Sequence, residues 1–162
     1  MKIAVCTGSF DPVTVGHMDI FRRAAGLFDM VYVAVLGNSS KKAAFTPDER
    51  CALINAAAGA EGIANLRAEA YDGLAVDYAR QKNACAIVRG IRNEADFAYE
   101  TGMGLANRHL ANEIETVYLY AEPGLSFISS SLVKELASYG KDIDGLVPDA
   151  IKNKIAERLI ER

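Results

Sequence analysis

The chain has 162 residues, is 51% hydrophobic and 24% charged, and carries a formal net charge of −3 at pH 7. That balance suits one domain with a buried core and excludes a binder that holds nucleic acid or anionic membrane by bulk positive charge. No run reaches the roughly 18 apolar residues of a membrane span. Met1-Lys2-Ile3 enters a strand pattern without a secretory leader, so the expected location is the cytoplasm. The three cysteines, Cys6, Cys51 and Cys85, are odd in number and lack metal-ligand spacing, and they read as buried reduced thiols.

Residues 3–7 form the first strand pattern. Gly8-Ser9-Phe10-Asp11-Pro12-Val13-Thr14-Val15-Gly16-His17 follows, then a helical pattern with Met18, Phe21, Ala25 and Phe28 on one face. A glycine at a strand end lets backbone approach a ligand, and a helix start offers N–H groups and a dipole to an anion. His17 stands at that start. A lone histidine is more often a cap or a core-edge residue, but Gly8, Ser9, Asp11 and Gly16 around it favour chemistry. His109, without a supporting motif, reads as structural.

Residues 31–36 are the second strand. In the loop behind it, Lys41 and Lys42 are either a solvated pair or point charges for a phosphate. Thr46-Pro47-Asp48-Glu49 is a helix start with a cap, a first-turn proline and a capping-box glutamate. Residues 66–71 are the third strand, and 73–83 a helix with Leu74, Tyr78 and Ala79 on one side. Residues 85–88 are the fourth strand. Arg89-Gly90-Ile91-Arg92 then reads as a tight turn at Gly90 flanked by two arginines, whose paired N–H donors match phosphate. Residues 93–110 are the longest amphipathic helix, with Glu100 and Asn107 about two turns apart on one face.

Residues 116–121 are the fifth strand. Ser126-Phe127-Ile128-Ser129-Ser130-Ser131 leads into a helix: one serine serves as N-cap, and the three together as a hydroxyl and N–H cradle for a polyphosphate. Pro148 begins the last helix, with Ile151, Ile155 and Leu159 on its apolar face. Buried strands alternating with helices predict an α/β fold over a single domain, residues 1–162. In an open parallel sheet the ligand site lies beyond the strands' carboxyl ends, near the switch point.

The first motif, with Thr14-Val15-Gly16-His17, resembles the first signature of nucleotidyltransferases that carry a His-X-Gly-His or Thr-X-Gly-His sequence. Ile128-Ser129-Ser130-Ser131-Leu132-Val133-Lys134 resembles the second signature. Three further segments narrow the resemblance: Asp72-Gly73-Leu74-Ala75-Val76-Asp77-Tyr78-Ala79, the run from Arg89 to Glu100, and Asn107-Arg108-His109-Leu110. Over residues 1–160 the chain resembles the phosphopantetheine adenylyltransferases.

The resemblance implies a Rossmann-like dinucleotide-binding fold, a five-stranded parallel sheet flanked by helices, assembled as a homohexamer. It implies transfer of AMP from ATP to 4′-phosphopantetheine, giving dephospho-coenzyme A and pyrophosphate, the penultimate step of coenzyme A synthesis. Ser9, Phe10, His17, Gly90, Ile91, Arg92 and Glu100 would contact ATP, with the loop of Leu125, Ser126, Phe127, Ile128, Ser129, Ser130 and Ser131. Ser9, Lys41, Ala75 and Arg89 would contact phosphopantetheine, and Asn107 and Glu135 would line its pantetheine side. His17, Lys41 and Arg92 would carry catalysis, with His17 stabilising the transition state. Mg²⁺ would neutralise the triphosphate, held by ATP and water, because the sequence shows no dense carboxylate cluster. Coenzyme A, sharing the pantetheine arm, would be a feedback inhibitor.

Cys6-Thr7 stands where the family often has Tyr-Pro, and Ser9 where some members have threonine. Two rival readings are a nucleotidyltransferase for CTP or another acceptor, and a module that senses nucleotide without turnover.

Overall fold

A computed structural model describes residues 1–37 and 43–160. Parallel strands β1 (Ile3–Gly8), β2 (Met30–Leu36), β3 (Leu66–Tyr71), β4 (Ala86–Ile91) and β5 (Glu115–Tyr120) form one sheet in the order β3-β2-β1-β4-β5. Helices α1 (Val15–Leu27), α2 (Pro47–Ala60), α3 (Ala75–Gln81) and α4 (Glu94–Leu110) connect the strands. A short 3-10 turn, Pro123–Leu125, leads from β5 to α5 (Ser130–Ser138) and then α6 (Asp149–Ile160). This is the open parallel α/β sheet that the strand-helix alternation predicts, with the five strands and Rossmann-like order that the resemblance implies.

The inner strands are apolar on both faces because both faces are covered. Ala4 and Cys6 of β1 join a core with Met18, Phe21, Ile54 and Ile155, from α1, α2 and α6. Val5, pointing the other way, packs with Val76, Tyr78 and Ile87. The expected start of α2 is present: Thr46 N–H donates to Glu49 at 2.8 Å and Glu49 N–H to Thr46 Oγ1 at 3.2 Å. Ile151, Ile155 and Leu159 of α6 are buried as their spacing predicts.

Four expectations are corrected. β4 continues through Arg89-Gly90-Ile91, which pair with Tyr118, Leu119 and Tyr120, so these residues are strand and not a turn. A Cβ on Gly90 would lie 3.1 Å from Ile20, so this glycine lets α1 press against the strand. Leu74 is the exposed N-cap of α3, outside its buried side. Cys6 and Cys51 are buried, but Cys85, at the foot of β4, is exposed. The one buried residue of α4 is the charged Glu100, while Phe97, Met103, Leu105 and Leu110 are exposed. This helix covers the β4-β5 edge of the sheet, where little core remains to be filled.

From β1 the chain moves one way to β2 and β3 and the other way to β4 and β5. The switch therefore falls between the carboxyl ends of β1 and β4, where adjacent connections leave on opposite faces and a crevice opens.

Candidate active site

A cavity of about 350 Å³ opens at that switch. Its walls include Thr7, Gly8 and Ser9 from the end of β1, Arg89 and Gly90 from β4, and the first turns of α1 and α5.

The β1–α1 corner is set by backbone geometry. Phe10 has a left-handed φ of 47°, which costs a residue with a Cβ about 1–2 kcal/mol. The turn brings its ring over Gly8, where a Cβ would lie 2.8 Å from the ring. The ring stands edge-on to His17, with centroids 5.1 Å apart, and to Phe21 at 5.2 Å. Buried Asp11 accepts from the N–H groups of Ala44 and Phe45, each at 2.9 Å, and from Lys134 Nζ at 3.2 Å. Arg50, also buried, donates to the Ser9 carbonyl at 2.7 Å, and Ser130 Oγ donates to the Pro12 carbonyl at 2.7 Å. The loop from Ser9 to Val13 is thereby fastened to α2 and α5 before any ligand arrives.

His17 is the third residue of α1 and completes an unusual capping box. Thr14 N–H donates to its Nδ1 at 3.1 Å, while His17 N–H donates to Thr14 Oγ1 at 3.3 Å. Because Nδ1 accepts, the proton of the neutral ring is assigned to Nε2. His17 lines the cavity, and its Nε2 has no hydrogen-bond partner among the described residues. Burial, followed by the charges of Arg92 and Arg89, pushes the His17 pKa down to about 4. The ring is thus a neutral donor at physiological pH. The first turn of α1 contains no acidic residue; its Val15 N–H donates to the Leu146 carbonyl at 3.0 Å and its His17 N–H to Thr14, which leaves the Gly16 N–H, on the cavity wall, to face an anion.

Across the cavity the β4–α4 corner is built from charges. Arg89 Nε donates to Glu100 Oε2 at 2.8 Å and Nη2 to Oε1 at 2.5 Å. Its Nη1 donates to the Thr7 carbonyl, and to Thr7 Oγ1 at 2.9 Å. Burial opposes the charge, but the Glu100 carboxylate outweighs it and raises the Arg89 pKa above its ordinary value. The Tyr118 hydroxyl donates to the Glu100 carbonyl at 2.8 Å. Arg92, more exposed, pairs with Asp96 one turn along α4 at 2.8 Å, and this hydrogen bond holds the Asp96 carboxyl below the usual carboxylate range.

The third wall is the start of α5. Ser129 is its N-cap and accepts from Leu132 N–H at 3.1 Å, while the Ser130 hydroxyl is spent on Pro12. The expected triple-hydroxyl cradle is therefore corrected: two of the three hydroxyls fasten structure. What faces a ligand is the backbone N–H array of a first turn without acidic residues, together with Ser131.

The cavity thus gathers Ser9, Phe10, His17, Arg89, Gly90, Arg92, Glu100, Leu125, Ile128 and the three serines. Ile91 is buried and does not line it. Ser126 closes its own 3-10 turn by donating to the Pro123 carbonyl at 3.0 Å, and Phe127 is exposed; neither lines the cavity. Ala75 at the start of α3, half-buried Asn107 on α4 and exposed Glu135 on α5 also lie outside its lining. Lys41 lies outside the described residues. Sequence reasoning missed Thr7, Asp11, Arg50 and Lys134 as fasteners. Two missed partners did leave a sequence signal: Asp96 stands four residues after Arg92, and Thr14 three before His17.

The cytidylyltransferase-like family model matches residues 5–136. A phosphopantetheine adenylyltransferase from Shouchella clausii is 46% identical over 160 residues, covering 97% of this chain and 98% of the relative. Among solved structures, a Vibrio parahaemolyticus protein assigned as a nicotinate-nucleotide adenylyltransferase superposes with a TM-score of 0.71 at 17% identity, over 99% of this chain and 93% of its own. A bifunctional NMN adenylyltransferase/ADP-ribose pyrophosphatase from Francisella tularensis gives 0.77 at 16% identity, over 96% of this chain and 49% of its own. At those identities the two structures share the fold.

Proposed function

The chain belongs to the phosphopantetheine adenylyltransferases, within the cytidylyltransferase-like family, and from that membership we propose that it transfers AMP from ATP to 4′-phosphopantetheine. The products are dephospho-coenzyme A and pyrophosphate. The observation that carries the mechanism is the neutral His17, its Nε2–H open to a cavity flanked by two helix starts without first-turn carboxylates.

The attacking atom is a phosphate oxygen of 4′-phosphopantetheine. Its second pKa is near ~6, so at neutral pH it is mainly a dianion and needs no general base. It forms a bond to the α-phosphorus of ATP as the bond to the bridging oxygen breaks, and pyrophosphate departs in line. Both reactants are anions, so the work of the protein is positioning and charge stabilisation. His17 Nε2–H donates to the α-phosphate as charge builds there. The N–H groups of the α5 start, with Arg92, receive the β- and γ-phosphates. Arg89 and Lys41 orient the acceptor phosphate. Ser9, Phe10 and Glu100 shape the meeting point of the two substrates.

Mg²⁺, bound with the triphosphate, would reduce its charge. Asp96 and Glu100, the carboxylates lining the cavity, are engaged by Arg92 and Arg89. Phosphate oxygens and water would therefore supply the ligands of the ion. The exposed Phe97, Met103 and Leu105 on α4 support assembly into the expected homohexamer. No described helix is long and apolar enough to cross a membrane; a cytoplasmic location is part of the proposal. Coenzyme A carries the same pantetheine arm and would compete at this cavity.

The test is pyrophosphate release from Mg·ATP with and without 4′-phosphopantetheine, and with CTP in place of ATP. Acceptor-dependent release matched by dephospho-coenzyme A is the expected result. ATP binding without acceptor-dependent release would overturn the reading.

A further inference from the structure

Thr7 and Arg89 meet because of the sheet register. The last paired residues of β1 and β4 are Cys6 and Val88, and Thr7 and Arg89 come next on each strand as the strands part to open the cavity. Strand alternation puts both side chains on the face that carries Val5 and Ile87. There Thr7 Oγ1 accepts from Arg89 Nη1 at 2.9 Å, and the Thr7 carbonyl accepts from the same nitrogen. With Nε and Nη2 on Glu100, four hydrogen bonds hold the guanidinium. Thr7 is itself buried, at 7% exposure.

The carboxylate alone defines a hinge. A guanidinium held on one edge by Glu100 can rock about that edge, and Nη1 is the atom that would swing. A second anchor at Nη1, from a different strand, fixes the plane. Thr7 contributes no charge, and among the described residues its hydroxyl hydrogen-bonds Arg89, so its influence runs through that side chain. We propose that the Thr7 hydroxyl is a positioning residue for the acceptor substrate: it locks the Arg89 guanidinium in the plane that receives the phosphate of 4′-phosphopantetheine. This rests on the function proposed above. It is a property of this sequence in particular, because a proline at position 7 would have no hydroxyl to offer.

The hydroxyl is lost at nearly constant shape in Thr7→Val and kept in Thr7→Ser. Calorimetric titration with 4′-phosphopantetheine and with pantetheine, which lacks the phosphate, separates positioning from general damage. Thr7→Val is expected to weaken 4′-phosphopantetheine binding about tenfold, the low end for a hydrogen bond to a charged group, because the backbone carbonyl remains. Binding of pantetheine and ATP stays at the wild-type level, and Thr7→Ser restores phosphate-dependent affinity. Equal weakening for pantetheine, a matching loss for ATP, or no loss at all would overturn the proposal. A second readout needs no ligand: the Arg89 Nε–H resonance in ¹⁵N NMR is expected to be sharp and slowly exchanging in wild type and Thr7→Ser, and broadened in Thr7→Val. An unchanged resonance would likewise overturn it. Failure of wild type to bind or turn over 4′-phosphopantetheine would count against the proposed function, while the NMR comparison would still decide the role of Thr7.

Discussion

The two corners that face each other across the cavity are made of different materials. At β1–α1, a left-handed Phe10, a close-packed Gly8 and a neutral histidine present N–H donors without a formal charge. At β4–α4, two arginines present full charges, each already paired with a carboxylate from α4. A neutral donor with one partnered nitrogen is fixed in direction and adds little attraction at long range. A paired arginine attracts an anion and still keeps its place. A reaction between two anions calls for both, because the acceptor must be drawn in and the α-phosphate must meet a donor that is already oriented.

Within the charged corner the two arginines also differ. Arg89 and Glu100 have side-chain exposures of 27% and 10%, against 40% and 24% for Arg92 and Asp96. Removing one partner of a buried pair strands the other, at a typical cost of about 3–5 kcal/mol, whereas an exposed pair contributes about 0–1 kcal/mol. Arg89→Ala should therefore lower folding stability by about 3 kcal/mol, the low end because the pair is only partly dry. Urea denaturation measures this, and a loss below about 1 kcal/mol would mean that Glu100 finds water instead.

His17→Ala breaks the neutral corner with a different signature. It should lower kcat about 10²–10³-fold, the usual loss for one transition-state donor, while KM for ATP changes little. Steady-state kinetics decide it, and an unchanged kcat would remove His17 from the chemistry. Arg92→Ala should cost less than about 1 kcal/mol of stability yet raise KM for ATP. If it instead destabilised the protein as much as Arg89→Ala, the contrast between the two arginines would be lost.

The neutral corner also carries a pH dependence of its own. The His17 pKa is near 4 in the folded protein, below its ordinary 6.5, so the native state resists protonation more than the unfolded chain does. The resulting stability is full above about pH 6.5 and drains away as the pH falls from there toward 4. Thermal melts between pH 7 and 4.5 should show wild type losing stability more steeply than His17→Gln. The acid limb of kcat near pH ~6, belonging to the acceptor phosphate, should persist in the residual activity of His17→Ala.

Much of this was legible in the chain. The Thr46-Glu49 capping box and the apolar face of α6 follow from local rules and appear as read. So does His17 at a helix start, because the motif around it is contiguous. The end of β4 departs from its local signal: Arg89-Gly90-Ile91-Arg92 has the composition of a turn, and pairing with β5 overrides it. Glu100 carries no local sign that it is the buried partner of Arg89, eleven residues earlier. Lys134 and Asp11, 123 residues apart, left no local trace of their contact.

The sequence by itself determined the alternation of elements, the helix starts and the residue types that can handle phosphate. Those depend on periodicity, capping and side-chain chemistry within a few neighbours. Tertiary structure alone decided that the Ser130 hydroxyl is spent on Pro12, that Asp11 is held by Lys134, and what holds Arg89 still. Each of these depends on a hydrogen-bond partner brought in by sheet order or helix packing, and a donor's free capacity is known only once its partners are counted.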